Sequence, residues 1–200
     1  MNDRITFLYC VDLKYYKFVL PFLAFALKYH PTDVFEIYVA INTNTNFVHP
    51  VWFDTGISLL KQQYPNAIID INICYTRIPP NKLRFLLEPK HSLITNYTYI
   101  GDIDILLCEN ILDFHINHMK KYNICFSNIV RPNSDRLSGL HFVQNNIYFQ
   151  KTHNKRTYHI NHLNTLKSDE QMLFNICSDF IPKEFFNFTN NVYTNRPPHG

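Results

Sequence analysis

The segment "YIGDIDILL", Tyr99 to Leu107, sets Asp102 and Asp104 two residues apart within an apolar run. On a strand, side chains alternate between faces, so both carboxylates would point the same way. Two ionised carboxylates side by side repel each other unless a positive charge lies between them. Two readings follow: a strand end emerging into solvent, or a strand that stops and hands both carboxylates to a metal ion. A second acidic position, Asp12 in "YCVDLKYY", stands with Tyr15 just after the first apolar run. An acid there can accept hydrogen bonds from a nucleobase and a tyrosine ring can stack on it, or Asp12 can simply cap the turn that follows. "SDEQMLFN" adds Asp169 and Glu170 behind a capping serine, Ser168, with Gln171 three residues later.

The elements that must position these residues read as alternating strands and helices. "ITFLYCV" (Ile5 to Val11) is continuously apolar, as a strand covered on both faces requires. A helix over Tyr16 to Tyr29 follows, with Pro21 in its first turn or at a kink, and Pro31 disfavours its continuation. "FEIYVAI" (Phe35 to Ile41) and "AIIDINICY" (Ala67 to Tyr75) are further strands, separated by a short helix ending near Tyr64. A helical stretch around Arg84, Phe85 and Leu86 precedes the strand bearing the aspartates. Later, "YNICFSN" and "LHFVQNNIYFQ" read as two more strands, and "SDEQMLFNIC" as a helix. Strand and helix in alternation predict one α/β domain over residues 1–200, with a largely parallel sheet flanked by helices. In such sheets ligands bind beyond the carboxyl ends of the strands, which is where Asp12 and the Asp102–Asp104 pair fall.

Composition narrows the function classes. A chain that is 46% hydrophobic is not disordered, and a net charge of +3 is too small for a dedicated nucleic-acid protein. The five cysteines are odd in number and set among apolar residues, as expected of buried reduced thiols in a cytosolic protein. The apolar stretch Phe18 to Leu27 is about half a transmembrane span, so it predicts a buried helix. No secretory leader is legible, and the sequons at Asn96 and Asn187 read as chance matches. Histidines recur as "HINH" at His115 to His118 and at His159 to His162, without a cysteine or carboxylate at zinc spacing. Lys82 with Arg84, and Lys155 with Arg156, read as solvated basic loops. Neither a dinucleotide-binding glycine motif nor a P-loop occurs.

Taken in order, these segments resemble the GT-A nucleotide-sugar glycosyltransferases, especially the retaining galactosyl- and glucosyltransferases of family 8. That family includes bacterial lipooligosaccharide enzymes and glycogenin. The opening "YCVDLKYYKFVLPFLAFALKYHP" is similar to its first strand, acidic turn, tyrosine and helix; the resemblance implies that Asp12 and Tyr15 hold uracil. Arg84 in "KLRFLL" resembles an arginine that contacts the donor. "YIGDIDILL" resembles the family's Asp-x-Asp segment, making Asp102 and Asp104 ligands of Mn²⁺ or Mg²⁺. "RLSGLHFV" stands at a small-residue turn beside the sugar, which places Ser138 there, and "SDEQMLFN" puts Asp169 near the donor sugar.

The sequence departs from the family in three places. Leu137 and Ser138 replace an asparagine and an alanine, and Glu170 stands where the family has glutamine beneath the anomeric carbon. The late histidine motif that supplies a third metal ligand is represented only by His199 in "RPPHG", so either the chain is cut short or that closure is built differently. The resemblance implies a cytoplasmic enzyme, peripheral to the inner face of a membrane. It would move a hexose from a UDP-sugar to a saccharide or glycolipid in surface polysaccharide or lipopolysaccharide synthesis. Asp169 and Glu170 would be its catalytic carboxylates. Two other classes remain open: a metal-dependent phosphodiesterase or nuclease using Asp102, Asp104, Asp169 and Glu170 around two metals, and a non-catalytic nucleotide- or carbohydrate-binding module.

Overall fold

The computed structural model of the chain describes residues 3–41, 46–128, 131, 134–162 and 168–181. His199 and Asn187 lie outside them. Six strands form one sheet: β1 (Ile5–Val11), β2 (Val34–Ile41), β3 (Ile68–Tyr75), β4 (Tyr97–Ile100), β5 (Phe126–Ser127) and β6 (His141–Gln144). Their spatial order is β3-β2-β1-β4-β6-β5. β1 pairs in parallel with β2 and β4, and β2 with β3, while β6 runs antiparallel to β4 and β5. The helices are α1 (Val19–Tyr29), α2 (Val51–Gln63), α3 (Pro80–Leu86), α4 (Leu112–Tyr122), α5 (Asn145–Asn161) and α6 (Asp169–Cys177). This is the mostly parallel α/β architecture the sequence predicts.

The apolar run of β1 serves two cores. Ile5, Phe7, Tyr9 and Val11 pack with Phe22 and Leu23 of α1 and Phe53 of α2. Leu8 points the other way, into a cluster with Phe85, Tyr148 and Leu173. Both faces of the strand are therefore covered, which is why no polar residue interrupts the pattern except Thr6. Pro21 sits in the first turn of α1, where its missing N–H breaks no intrahelical bond. Among the described residues no helix is long and apolar enough to cross a membrane.

Three expectations need correction. "LHFVQNNIYFQ" is a strand only through Gln144; α5 begins at Asn145. The buried positions of α5, namely Asn145, Tyr148, Phe149, Thr152, Arg156 and His159, follow a spacing of three and four, but four of the six are polar. Arg84 lies on the helix expected around it, but both it and Arg156, read as solvated, are buried, Arg156 on α5 and bonded to the Leu86 and Phe149 carbonyls and to Glu88. The cysteines are all free, yet only Cys125 and Cys177 are fully buried, and Cys108 is exposed.

The loop between α3 and β4 is tied down by Glu36, a carboxylate of β2 with no solvent exposure. It accepts hydrogen bonds from the Lys90 N–H (3.0 Å), the His91 N–H (2.8 Å) and the Tyr38 hydroxyl (3.2 Å), with His91 Nδ1 at 2.7 Å. Such a carboxylate is tolerated because its lone pairs are occupied. Glu36→Ala leaves several buried donors without an acceptor, so urea unfolding should show a loss on the order of 3 kcal/mol. A loss within experimental error of zero would mean that the loop is held by other contacts.

Candidate functional site

The sheet changes direction of winding between β1 and β4: β2 and β3 lie on one side, β6 and β5 on the other. A crevice is expected at the carboxyl ends of the two strands where the order switches. A cleft of about 560 Å³ opens there. Asp12 and Tyr15 line it after β1, Arg84 lines it from α3, and Asp102 and Asp104 line it after β4.

β4 ends at Ile100, so the two aspartates lie beyond it, in a turn closed by the Ile105 N–H donating to the Asp102 carbonyl (3.1 Å). Strand alternation therefore does not set their direction, although both reach the same cleft. The chain leaves the strand through Gly101. A Cβ at this position would lie 2.7 Å from Tyr99 Cε1 and 3.0 Å from Tyr9 Cε1, so the passage between the two rings has no room for a side chain.

Arg84 organises the floor. It is 4% exposed, and its Nη1 donates to Asp102 and to the Gly101 carbonyl (2.8 Å). Nη2 donates to Asp169 Oδ2 (3.2 Å) and Nε to the Asn81 carbonyl (3.2 Å). Of the five N–H donors of a guanidinium, four thus have protein partners. Gly139 allows this packing: a Cβ there would stand 3.0 Å from Arg84 Nη2 and 3.4 Å from Asp102 Oδ2. Asp169 is the first residue of α6, where the helix dipole favours a carboxylate, and Ser168 caps that helix by accepting the Gln171 N–H (3.1 Å).

The other sequence-selected residues divide. Asp12 accepts the Tyr15 N–H (3.0 Å) through Oδ1, so it does cap its turn while lining the cleft. The Tyr15 ring is partly open to solvent, with the Lys14 ammonium 5.2 Å from its centroid. Asp104 is exposed and makes no hydrogen bond or ion pair with another described residue. Ser138 is buried: its N–H and carbonyl are held by the Asn128 side chain (3.0 and 2.9 Å), and its hydroxyl accepts the Leu140 N–H (3.4 Å). It fixes the turn bearing Gly139 and does not line the cleft. Glu170 is turned to Arg131 Nε (2.7 Å) and Arg136 Nη1 (3.7 Å) and does not line the cleft either. No local pattern signals Asn128 or this arginine pair, since their partners lie 10 to 39 residues away.

No group of three or more histidine, cysteine, aspartate or glutamate side chains is placed to share a metal among the described residues. The first "HINH" lies on α4, where His115 bonds Ser127 (2.9 Å) and stacks on Phe142 at 4.5 Å. Cys10, at the end of β1, also lines the cleft, but burial pushes its thiol well up and Arg84 offsets this only partly. It is a neutral thiol at neutral pH, unsuited to nucleophilic attack.

Comparison with known proteins bears on the fold. No protein-family model and no curated protein sequence matches the chain. Among solved structures, the apo form of the glycosyltransferase GlyE from Streptococcus pneumoniae TIGR4 superposes with a TM-score of 0.53 at 13% identity, over 89% of this chain and 44% of that one. A second GlyE structure gives 0.51 at 10% identity over the same shares. LgtC, solved as an active-site glutamine-to-glutamate mutant, gives 0.54 at 9% identity, covering 97% of this chain and 82% of its own. The chain thus spans less than half of GlyE and most of LgtC. These likenesses establish a GT-A-like fold.

Behind the Gly139 turn, His141 is fully buried, with Nδ1 2.9 Å from Asn128 Nδ2, and burial lowers its pKa to about 3. Burial, aided by Lys121, lowers that of His118 to about 4. Both are neutral in the native state but protonate near the ordinary value of 6.5 when unfolded. Between these values the unfolded chain binds more protons, so stability falls as pH drops below about 6.5, by up to about 1.4 kcal/mol per pH unit for each histidine. His141→Gln keeps an acceptor for Asn128 and removes one titration. Chemical unfolding between about pH 6 and about pH 4 should then show a shallower slope; an unchanged slope would show that His141 is not the group that titrates.

Proposed function

We propose that the chain is a glycosyltransferase whose cleft binds a nucleoside diphosphate sugar, with UDP as the nucleotide, and passes its hexose to a saccharide or glycolipid acceptor with retention. One observation carries this reading. In a fold shared with glycosyltransferases, a buried arginine and the turn carboxylates Asp102 and Asp104 line one cleft with Asp12 and Tyr15 at the switch point of the sheet. In this reading Tyr15 stacks on the base, and the free carboxylate oxygen of Asp12 accepts a base N–H. The one N–H of Arg84 without a partner among the described residues is available to a phosphate oxygen.

Electrostatics argues that a divalent cation accompanies the donor. Asp12, Asp102 and Asp104 line the cleft with Arg84, and Asp169 pairs with that arginine, so acidic groups outnumber the single arginine of the lining. An anionic diphosphate would be repelled from such a site. The donor set fits Mg²⁺ or Mn²⁺: Asp104 has no partner among the described residues, and Asp102 keeps Oδ2 beside the oxygen bonded to Arg84. When bound there, the ion would neutralise charge on the departing diphosphate.

The reaction breaks the bond from the anomeric carbon to the diphosphate oxygen and forms one to an acceptor hydroxyl oxygen, whose proton leaves with the diphosphate. We assign the carboxylate that steadies positive charge on the sugar to Asp169, because the Arg84 it bonds lines the cleft, whereas Arg131 and Arg136, which hold Glu170, do not. The same separation disfavours a two-metal phosphodiesterase, which would need Asp102, Asp104, Asp169 and Glu170 around a shared pair of ions.

UDP with Mn²⁺ should raise the melting temperature more than UDP alone, and Asp104→Asn should abolish the difference. Tyr15→Ala should weaken UDP binding by roughly 1–3 kcal/mol while leaving pyrophosphate binding intact. If UDP and pyrophosphate bind the unaltered protein equally well, the cleft has no base subsite. In transfer assays with UDP-glucose and UDP-galactose, Asp169→Asn should lower turnover by roughly 10²-fold, with Glu170→Gln close to the parent. The reverse order would return the role to Glu170.

A further inference from the structure

A second and larger cleft, about 890 Å³, opens at the amino end of β4, between the loop before that strand and the outer face of α5. It is separate from the first. Tyr97 lines this cleft and Asp102 the other, and five residues of nearly extended chain span roughly 15 Å at ~3.3 Å per residue.

The lining has an unusual chemistry. Asn96, Gln144, Asn146, Gln150, His153 and Asn154 all contribute, and none of these six side chains has a hydrogen-bond partner among the described residues. Four of them, at positions 146, 150, 153 and 154, recur at spacings of three and four and share one face of α5. Amides offer both donors and acceptors. Leu93, 96% exposed, and Ile94 form an apolar wall beside them. Charge is nearly absent: among the described residues the single acid, Glu88, is paired with Arg156, and no lysine or arginine lines the cleft.

The loop that carries the wall is held in place before any ligand arrives. The Asn145 amide donates to the Thr95 carbonyl (2.9 Å), to Thr95 Oγ1 (3.0 Å) and to the Ser92 carbonyl (3.4 Å), while its oxygen accepts the Thr98 hydroxyl (2.7 Å). Glu36 holds the preceding His91 N–H. A rigid groove avoids the ordering cost that weakens binding to mobile loops.

We propose that this groove is a second, non-catalytic binding site for a neutral saccharide chain. Hydroxyl groups are donors and acceptors at once and match uncommitted amides. The C–H face of a sugar ring packs on Leu93 and Ile94, and the lack of cationic side chains gives an anionic ligand no partner. The site does not depend on the transferase reading, because its residues are distinct from those of the first cleft and binding is measured without turnover.

Saturation-transfer NMR on the full chain with maltotetraose and with chitotetraose tests it. At least one should show transfer, and excess UDP with Mn²⁺ should leave that signal in place. Gln150→Ala combined with Asn154→Ala removes two exposed side chains of α5 and should weaken binding by about tenfold, with an unchanged circular dichroism melt as the folding control. Absence of transfer from both oligosaccharides would overturn the proposal. So would displacement by UDP, which would put the sugar in the first cleft, or an unaltered affinity in the double variant. Chemical-shift changes at 92–96 with an unfolded polypeptide (reduced, carboxymethylated lactalbumin) but with neither saccharide would mark a peptide groove instead.

Discussion

The Arg84 guanidinium, buried and shared between Asp102 and Asp169, is the interaction on which the cleft depends. A lone buried cation would cost several kcal/mol, and so would two carboxylates brought to the same place without it. Their mutual compensation ties three separated pieces of chain together: α3, the turn after β4 and the first residue of α6. Because two of its bonds go to backbone carbonyls, at Gly101 and Asn81, the arginine also fixes main-chain positions. The two tight glycines follow from this demand. Gly101 lets the chain pass between Tyr9 and Tyr99 to reach the arginine, and Gly139 lets the neighbouring turn close over it.

That dependence explains which parts of the site were legible in the sequence. Asp12, Arg84, Asp102 and Asp104 lie next to strand ends or on a short helix, and local pattern suffices to bring them to the carboxyl edge of the sheet. Ser138 and Glu170 could not be placed this way. Their directions are set by Asn128 and by Arg131 and Arg136, and no local periodicity encodes such partners. The Arg84 pairs span 18 and 85 residues. A cation in a sequence reads as solvated unless its counter-charges are known, which is why the burial of Arg84 and Arg156 was not legible.

The fold shows the same division. β1, β2 and β3 were readable because burial or a steady β pattern leaves a continuous signature. α5 was missed because its buried stripe includes Asn145, Thr152, Arg156 and His159, so hydrophobicity does not oscillate with the helical period. β5 falls inside "YNICFSN", the stretch that reads as a strand, but keeps only Phe126 and Ser127 of it. In α5 the missing information was polar side chains satisfied at long range, not an ambiguous propensity.

β4 poses the sharpest version of this problem. It has four residues, yet the aspartates of the cleft hang from its end. Ladder bonds over so short a strand define its register weakly, and a shift by one residue would turn Thr98 and Ile100 to the opposite face. The polar groups at its amino end supply what length cannot. Thr98 is bonded to Asn145, Asn145 to Thr95, and Thr95 Oγ1 lies 2.8 Å from Thr6 Oγ1 on β1. Each of these groups is buried, so a slipped strand would strand several donors and acceptors away from water. Threonine and asparagine in the middle of an apolar sheet therefore act at a distance: they set the position of β4, β4 sets Gly101, and Gly101 delivers Asp102 to Arg84.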